Sequence, residues 1–103
     1  MKTVSEKAAR ELVKKHKDVV IVHTKKTCPV CEYFVPEVLL PIFGDEKYKH
    51  VKVYEITEDM TFPVGSHPVT YFFKNGKCVH HPSGSAPEKA VRDLMDTFYG
   101  RPV

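Results

Sequence analysis

The chain has 103 residues, 42% of them apolar, enough for a single domain over 1–103 that buries about 60–70% of the surface of its unfolded form. Its formal net charge of +3 is mild and its basic residues are scattered rather than gathered in one stripe, which argues against nucleic-acid binding. Three cysteines are too few for a disulfide-stapled secreted scaffold, Met1-Lys2-Thr3 opens no apolar leader, and no apolar run nears the roughly 18–20 residues that cross a bilayer, so the expected setting is cytoplasmic, with no membrane partner.

In chain order, a first helix is expected from about Val4 to Lys17. Thr3 with Glu6 has the spacing of a capping box, and Val4, Ala8 and Leu12, with Ala9 and Val13 beside them, form an apolar stripe. Lys14, Lys15 and Lys17 crowd its last turn, where positive charge meets the negative end of the helix dipole. Val19-Val20-Ile21-Val22 follows as a β-branched run without alternation, the pattern of a central strand covered on both faces. The polar segment His23-Thr24-Lys25-Lys26 then delivers the chain to Thr27-Cys28-Pro29-Val30-Cys31 at the carboxyl end of that strand, where open α/β sheets place their chemistry.

Two thiols separated by two residues at the start of a helix can close a small disulfide, and a helix N-terminus favours thiolate over thiol. Pro29 suits the first helical position because its missing N–H is no loss there, which leaves Cys28 as the exposed, attacking cysteine and Cys31 as the resolving one. Phe34, Val35, Val38 and Ile42 continue the helix on its sheet-facing side; Pro36 is expected to kink it, and Pro41 and Gly44 to end it. Val51 to Ile56 reads as a second strand parallel to the first, and Thr57 to His67 as a loop with at most one turn. Val69 to Lys74, Asn75-Gly76, and Lys77 to His80 form a strong two-residue hairpin signal. Ser85 with Glu88 repeats the capping-box spacing, and Val91, Leu94, Met95 and Phe98 mark a last helix ending near Gly100. The histidines other than His67, including His23, His50 and His80, are expected to be solvated at element ends or on an edge strand.

That order, with Cys-Pro-Val-Cys at the first strand-to-helix junction, resembles the thioredoxin fold over nearly the whole chain. Pro36 stands five residues after the second cysteine, His67-Pro68-Val69-Thr70 leads into a strand, and Phe73-Lys74-Asn75-Gly76 and Gly84 follow. The Phe-Lys-Asn-Gly turn is similar to thioredoxin, whereas Lys25-Lys26-Thr27-Cys28-Pro29-Val30-Cys31 is similar to a glutaredoxin. The chain therefore resembles a small member of the thioredoxin-like superfamily, intermediate between the two. The resemblance implies an α/β thioredoxin fold: a four-stranded mixed sheet flanked by an N-terminal, an active-site and a C-terminal helix. It implies a monomeric protein-disulfide reductase with no cofactor beyond a redox-active Cys28–Cys31 disulfide and no metal. Its partners would be protein disulfides, with a thioredoxin reductase or glutathione as electron source. Lys25, Lys26, Pro29, Val30, His67 and Pro68 would face the substrate, with His67-Pro68 in the cis form.

Departures from the two patterns are specific. Thr27 stands where thioredoxins carry tryptophan, Pro29-Val30 where they carry glycine-proline, and Val22 where they carry a buried aspartate. Gly84-Ser85-Ala86 replaces the glycine-glycine-aspartate of glutaredoxins, and the third helix of thioredoxin has no counterpart between Ile56 and Pro68. The dipeptide predicts a glutaredoxin-like potential. Two other readings remain: a metal or iron–sulfur carrier using Cys28 across a dimer, and a redox-inactive interaction module, against which the presence of both cysteines argues. Zinc wants four ligands, and no second cysteine pair stands at ligand spacing. Cys78, opposite Phe73 in the hairpin register, would lie roughly 16 Å from the pair and take no part in the chemistry.

Overall fold

The computed structural model describes residues 1–57, 59 and 66–100. Its elements are β1 (Lys2–Thr3), α1 (Glu6–Lys15), β2 (Asp18–His23), α2 (Pro29–Phe34), a π turn (Val35–Leu39), α3 (Leu40–Phe43), a 3-10 turn (Glu46–Tyr48), β3 (Lys52–Ile56), β4 (Val69–Lys74), β5 (Lys77–His80) and α4 (Glu88–Tyr99). The sheet has five strands in the order β1-β3-β2-β4-β5, not four. The addition is β1, which runs parallel to β3 with Lys2 opposite Tyr54 and Thr3 opposite Glu55, and Val4 N–H donates to the Glu55 carbonyl at 2.8 Å. Two residues are too short a run for an alternation pattern to be seen in the sequence. Because Thr3 belongs to that strand, it does not cap α1. Ser5 does, its Oγ accepting from Ala8 N–H at 3.0 Å.

β2 is the central strand, parallel to β3 and antiparallel to β4, and its side chains alternate between two cores. Val19 and Ile21 meet α1 through Ala9 and Val13, with Ile56, Val69 and Tyr71 beside them. Val20 and Val22 face the other layer, with Phe34, Leu39, Ile42, Phe72 and Met95 among its buried members. The expectation of a strand covered on both faces holds. On α1 the buried line runs through Ala9 and Val13, while Ala8 and Leu12 are half-buried.

Pro36 acts differently from expectation. Lacking an N–H, it cannot bond back to the preceding turn, and the helix absorbs the missing donor as a π turn in which Leu40 N–H reaches the Val35 carbonyl. The hairpin forms as expected, with Asn75 at φ 51° and Gly76 at φ 81° in the left-handed region, Lys74 opposite Lys77 and Phe73 opposite Cys78. Beyond it a bulge shifts the register, so that Phe72 faces His80. The Ser85–Glu88 capping box does not form: α4 begins at Glu88, with Pro87 in the cap position and no side-chain cap bond, which puts Ser85 two residues too early. Glu58 and residues 60–65, which hold most of the expected loop and of the segment without a third helix, lie outside the described residues. Among the described residues no helix is long and apolar enough to cross a membrane.

Candidate active site

β2 ends at His23, and the next residue is pinned rather than loose. Thr24 is buried, its N–H donates to the Ile56 carbonyl at 2.9 Å, and its hydroxyl donates to Glu55 at 2.8 Å. From that anchor the chain crosses exposed Lys25, Lys26 and Thr27 and enters α2 at Cys28, which is its N-cap residue. Cys28 Sγ accepts from Cys31 N–H at 3.1 Å, and Pro29 follows at the first helical position. The helical path continues from Pro29 through the π turn to Phe43, so its positive end is directed at the Cys28 sulfur.

Cys28 and Cys31 are joined in a disulfide with their Cα atoms 5.2 Å apart. The two are unequal: Cys28 is half-buried and Cys31 is 4% exposed. Pro29 and Val30 are exposed between them, so a partner reaching Cys28 also meets these two.

The His67-Pro68 bond is cis, and the His67 carbonyl oxygen lies 3.9 Å from Cys28 Sγ. Pro68 is fully buried, and its carbonyl accepts from Gly84 N–H at 2.7 Å. Thr70 N–H donates to the Pro82 carbonyl at 3.1 Å, so residues 82–84 brace the start of β4 from outside. Four residues singled out from the sequence, Cys28, Cys31, His67 and Pro68, thus meet in one place. Lys25 lies near enough to His67 to disfavour its protonation, and Lys26 is exposed with no ion pair among the described residues.

The residue that sequence reasoning missed is His23. It is 1% exposed, not solvated, and its ring packs on that of His67 with centroids 4.4 Å apart and planes at 74°. The signal was its parity: His23 continues the Val19, Ile21 face of a strand covered on both sides. The His67 imidazole is held below the ordinary histidine range, first by burial and then by His23 and Lys25, with Asp59 opposing. Cys78 is exposed on β5 opposite Phe73, a free thiol raised above its ordinary value by partial burial of its sulfur. Among the described residues no group of three or more His, Cys, Asp or Glu is gathered as a metal would require.

Solved structures similar to this chain include Chlamydomonas reinhardtii thioredoxin f2, with a TM-score of 0.84, 14% identity and 99% of each chain covered. Malassezia sympodialis thioredoxin has a TM-score of 0.82 and 19% identity, covering 95% of this chain and 90% of that one. Plasmodium falciparum thioredoxin has a TM-score of 0.78 and 17% identity, covering 95% and 99%. No family model and no curated protein matches the sequence. At these identities the likeness establishes the fold, and the fold is that of thioredoxin.

Proposed function

We propose that this chain, a thioredoxin fold carrying a Cys28–Cys31 disulfide, is a thiol–disulfide oxidoreductase that reduces protein disulfides. The observation that carries the reading is the asymmetry of the pair: Cys28 caps the helix and is accessible, whereas Cys31 is buried one turn behind it. In the reduced chain the Cys28 thiolate, favoured by Cys31 N–H and the helix terminus, attacks one sulfur of a substrate disulfide. A Cys28–substrate bond forms, and the other substrate sulfur leaves as a thiolate that takes up a proton. Cys31 then loses its proton and attacks Cys28 Sγ, expelling the second substrate sulfur. Two electrons have passed to the substrate, and the protein is left as the disulfide described above.

Pro29, Val30 and the His67-Pro68 segment border Cys28, where an extended substrate would lie. A thioredoxin reductase or glutathione would return the electrons, and the protein would work as a cytoplasmic monomer without a further cofactor. Cys78 stands opposite Phe73, four strand residues or about 13 Å along β4 from Val69, and would stay outside the cycle. A Cys31→Ser variant tests the scheme: it should accumulate mixed disulfides through Cys28 with a disulfide-containing protein such as insulin. Cys78→Ser should turn over that substrate at the native rate. Mixed disulfides through Cys78, or none at all, would sink the assignment.

A further inference from the structure

The carboxyl end of β2 holds two ionisable rings that the exchange scheme leaves unused. His23, the last residue of β2, is buried on the α1 face of the sheet, and the His67 ring rests edge-on against it at 4.4 Å. His67 Nε2 is buried without a hydrogen-bond partner among the described residues. The same residue carries the carbonyl oxygen 3.9 Å from Cys28 Sγ. The remaining charged neighbours of the His67 ring are Lys25, in the loop after β2, and Asp59, after β3. Glu55 on β3 is turned instead to the Thr24 hydroxyl.

We infer that His23 and His67 form a coupled pair that positions the His67 carbonyl against Cys28, so that the proton held by the pair sets the acidity of the Cys28 thiol. This rests on the reading above, in which Cys28 is the attacking sulfur. While both rings are neutral they pack together, and the carbonyl presents its negative end to Cys28; that favours the thiol, which can donate to it, over the thiolate. A proton on one ring reverses the local sign. An imidazolium packed on a second imidazole and near Lys25 is also poorly accommodated, so proton uptake loosens the ring pair and the carbonyl it holds. Linkage then runs both ways: protonating the pair makes Cys28 more acidic, and forming the thiolate makes the pair more basic. His23 does not touch the sulfur; it is a positioning residue acting through His67.

The test is the rate at which iodoacetamide alkylates Cys28 in the full reduced chain across about pH 4–9, with the label located by mass spectrometry so that Cys78 does not contribute. The native profile should show two steps. His67→Phe, which keeps a ring of similar size but no proton, should give one step and change the low-pH rate by about threefold or more, whereas His23→Phe should keep two steps and move the one set by His67 to higher pH. A single step in the native chain, two steps surviving in His67→Phe, or an unmoved step in His23→Phe would overturn the inference. A second readout needs no substitution: in the NMR titration of the oxidised chain the His67 ring should titrate below the ordinary histidine range, and the His23 resonances should sense that same step. A His67 step at the ordinary value, not sensed by the His23 resonances, would contradict the coupling. Alkylation needs no substrate disulfide, so a chain that traps no mixed disulfide but keeps the two-step profile would defeat the oxidoreductase reading and leave the ring pair standing.

Discussion

The two ends of β2 are built oppositely. At the amino end the polar groups are matched to one another. Tyr99, 2% exposed at the close of α4, places its hydroxyl 3.1 Å from the Val19 carbonyl and 3.0 Å from that of Phe73. Lys74 donates to the Phe98 carbonyl at 2.6 Å, and His50 Nε2 lies 3.0 Å from the Tyr99 carbonyl, so that nitrogen must carry the proton. The last turn of α4 has no basic residue of its own, and two donors from other elements, the Lys74 ammonium and the His50 N–H, satisfy its last carbonyls. One carboxylate oxygen of Asp18 is the exception, buried without a partner among the described residues. At the carboxyl end the helix terminus and the His67 carbonyl meet at one accessible sulfur, and the His67 ring packs on that of His23 behind them. One end closes the fold, and the other leaves a sulfur accessible.

The largest expected effect breaks the closed end alone. Tyr99→Ala should cost about 3–5 kcal/mol in denaturant unfolding through the lost ring and the two exposed carbonyls, while leaving alkylation of Cys28 unchanged. An equal loss of Cys28 reactivity would show that the ends are not separable. Next is the open end: replacing Pro29-Val30 by Gly-Pro should move the midpoint potential from a glutaredoxin-like value toward the thioredoxin one, a difference of about 40–70 mV or roughly 2–3 kcal/mol for two electrons. A native potential already at the thioredoxin value would show that the dipeptide is not in control.

The smallest effect separates the two ends by pH. His67 is held below its ordinary value, so between its folded and unfolded values the unfolded chain binds the extra proton, and stability falls as pH drops below about 6.5. At the closed end Asp96 is lowered first by Lys47 and then by Tyr48, and Asp45 first by the Lys47 N–H and then by Arg92. Their contribution is present above the ordinary carboxylate range and is lost as pH falls through their lowered values. Denaturant midpoints measured against pH should therefore decline in two windows, and His67→Phe should flatten the upper one only. Flattening of both would mean that the ends share their protons.

What was legible in the sequence follows the same division by physics. The cysteine pair, the hairpin turn and the central strand are local signals: a spacing, two residues that accept positive φ, and an unbroken β-branched run. The cap of α1 was misplaced because Thr3 and Ser5 are both competent caps, and only the pairing of Thr3 with Glu55 decides between them. His23 and Tyr99 were missed for one reason. Each is a polar residue at the end of an element, where solvation is the ordinary outcome, and each is buried by a partner distant in sequence: His67 for the first, the Val19 and Phe73 carbonyls for the second. The π turn at Pro36 lies between these cases, since the missing donor is visible in the sequence and the way the helix absorbs it is not.

The most direct test of the open end is turnover of a protein disulfide by Cys28→Ser. The variant keeps the fold, the buried Cys31 and the free Cys78, and removes only the accessible sulfur at the start of α2. Disulfide reduction should fall to background, at least about a hundredfold below the native chain. Full activity in that variant would place the attacking thiol elsewhere and contradict the account.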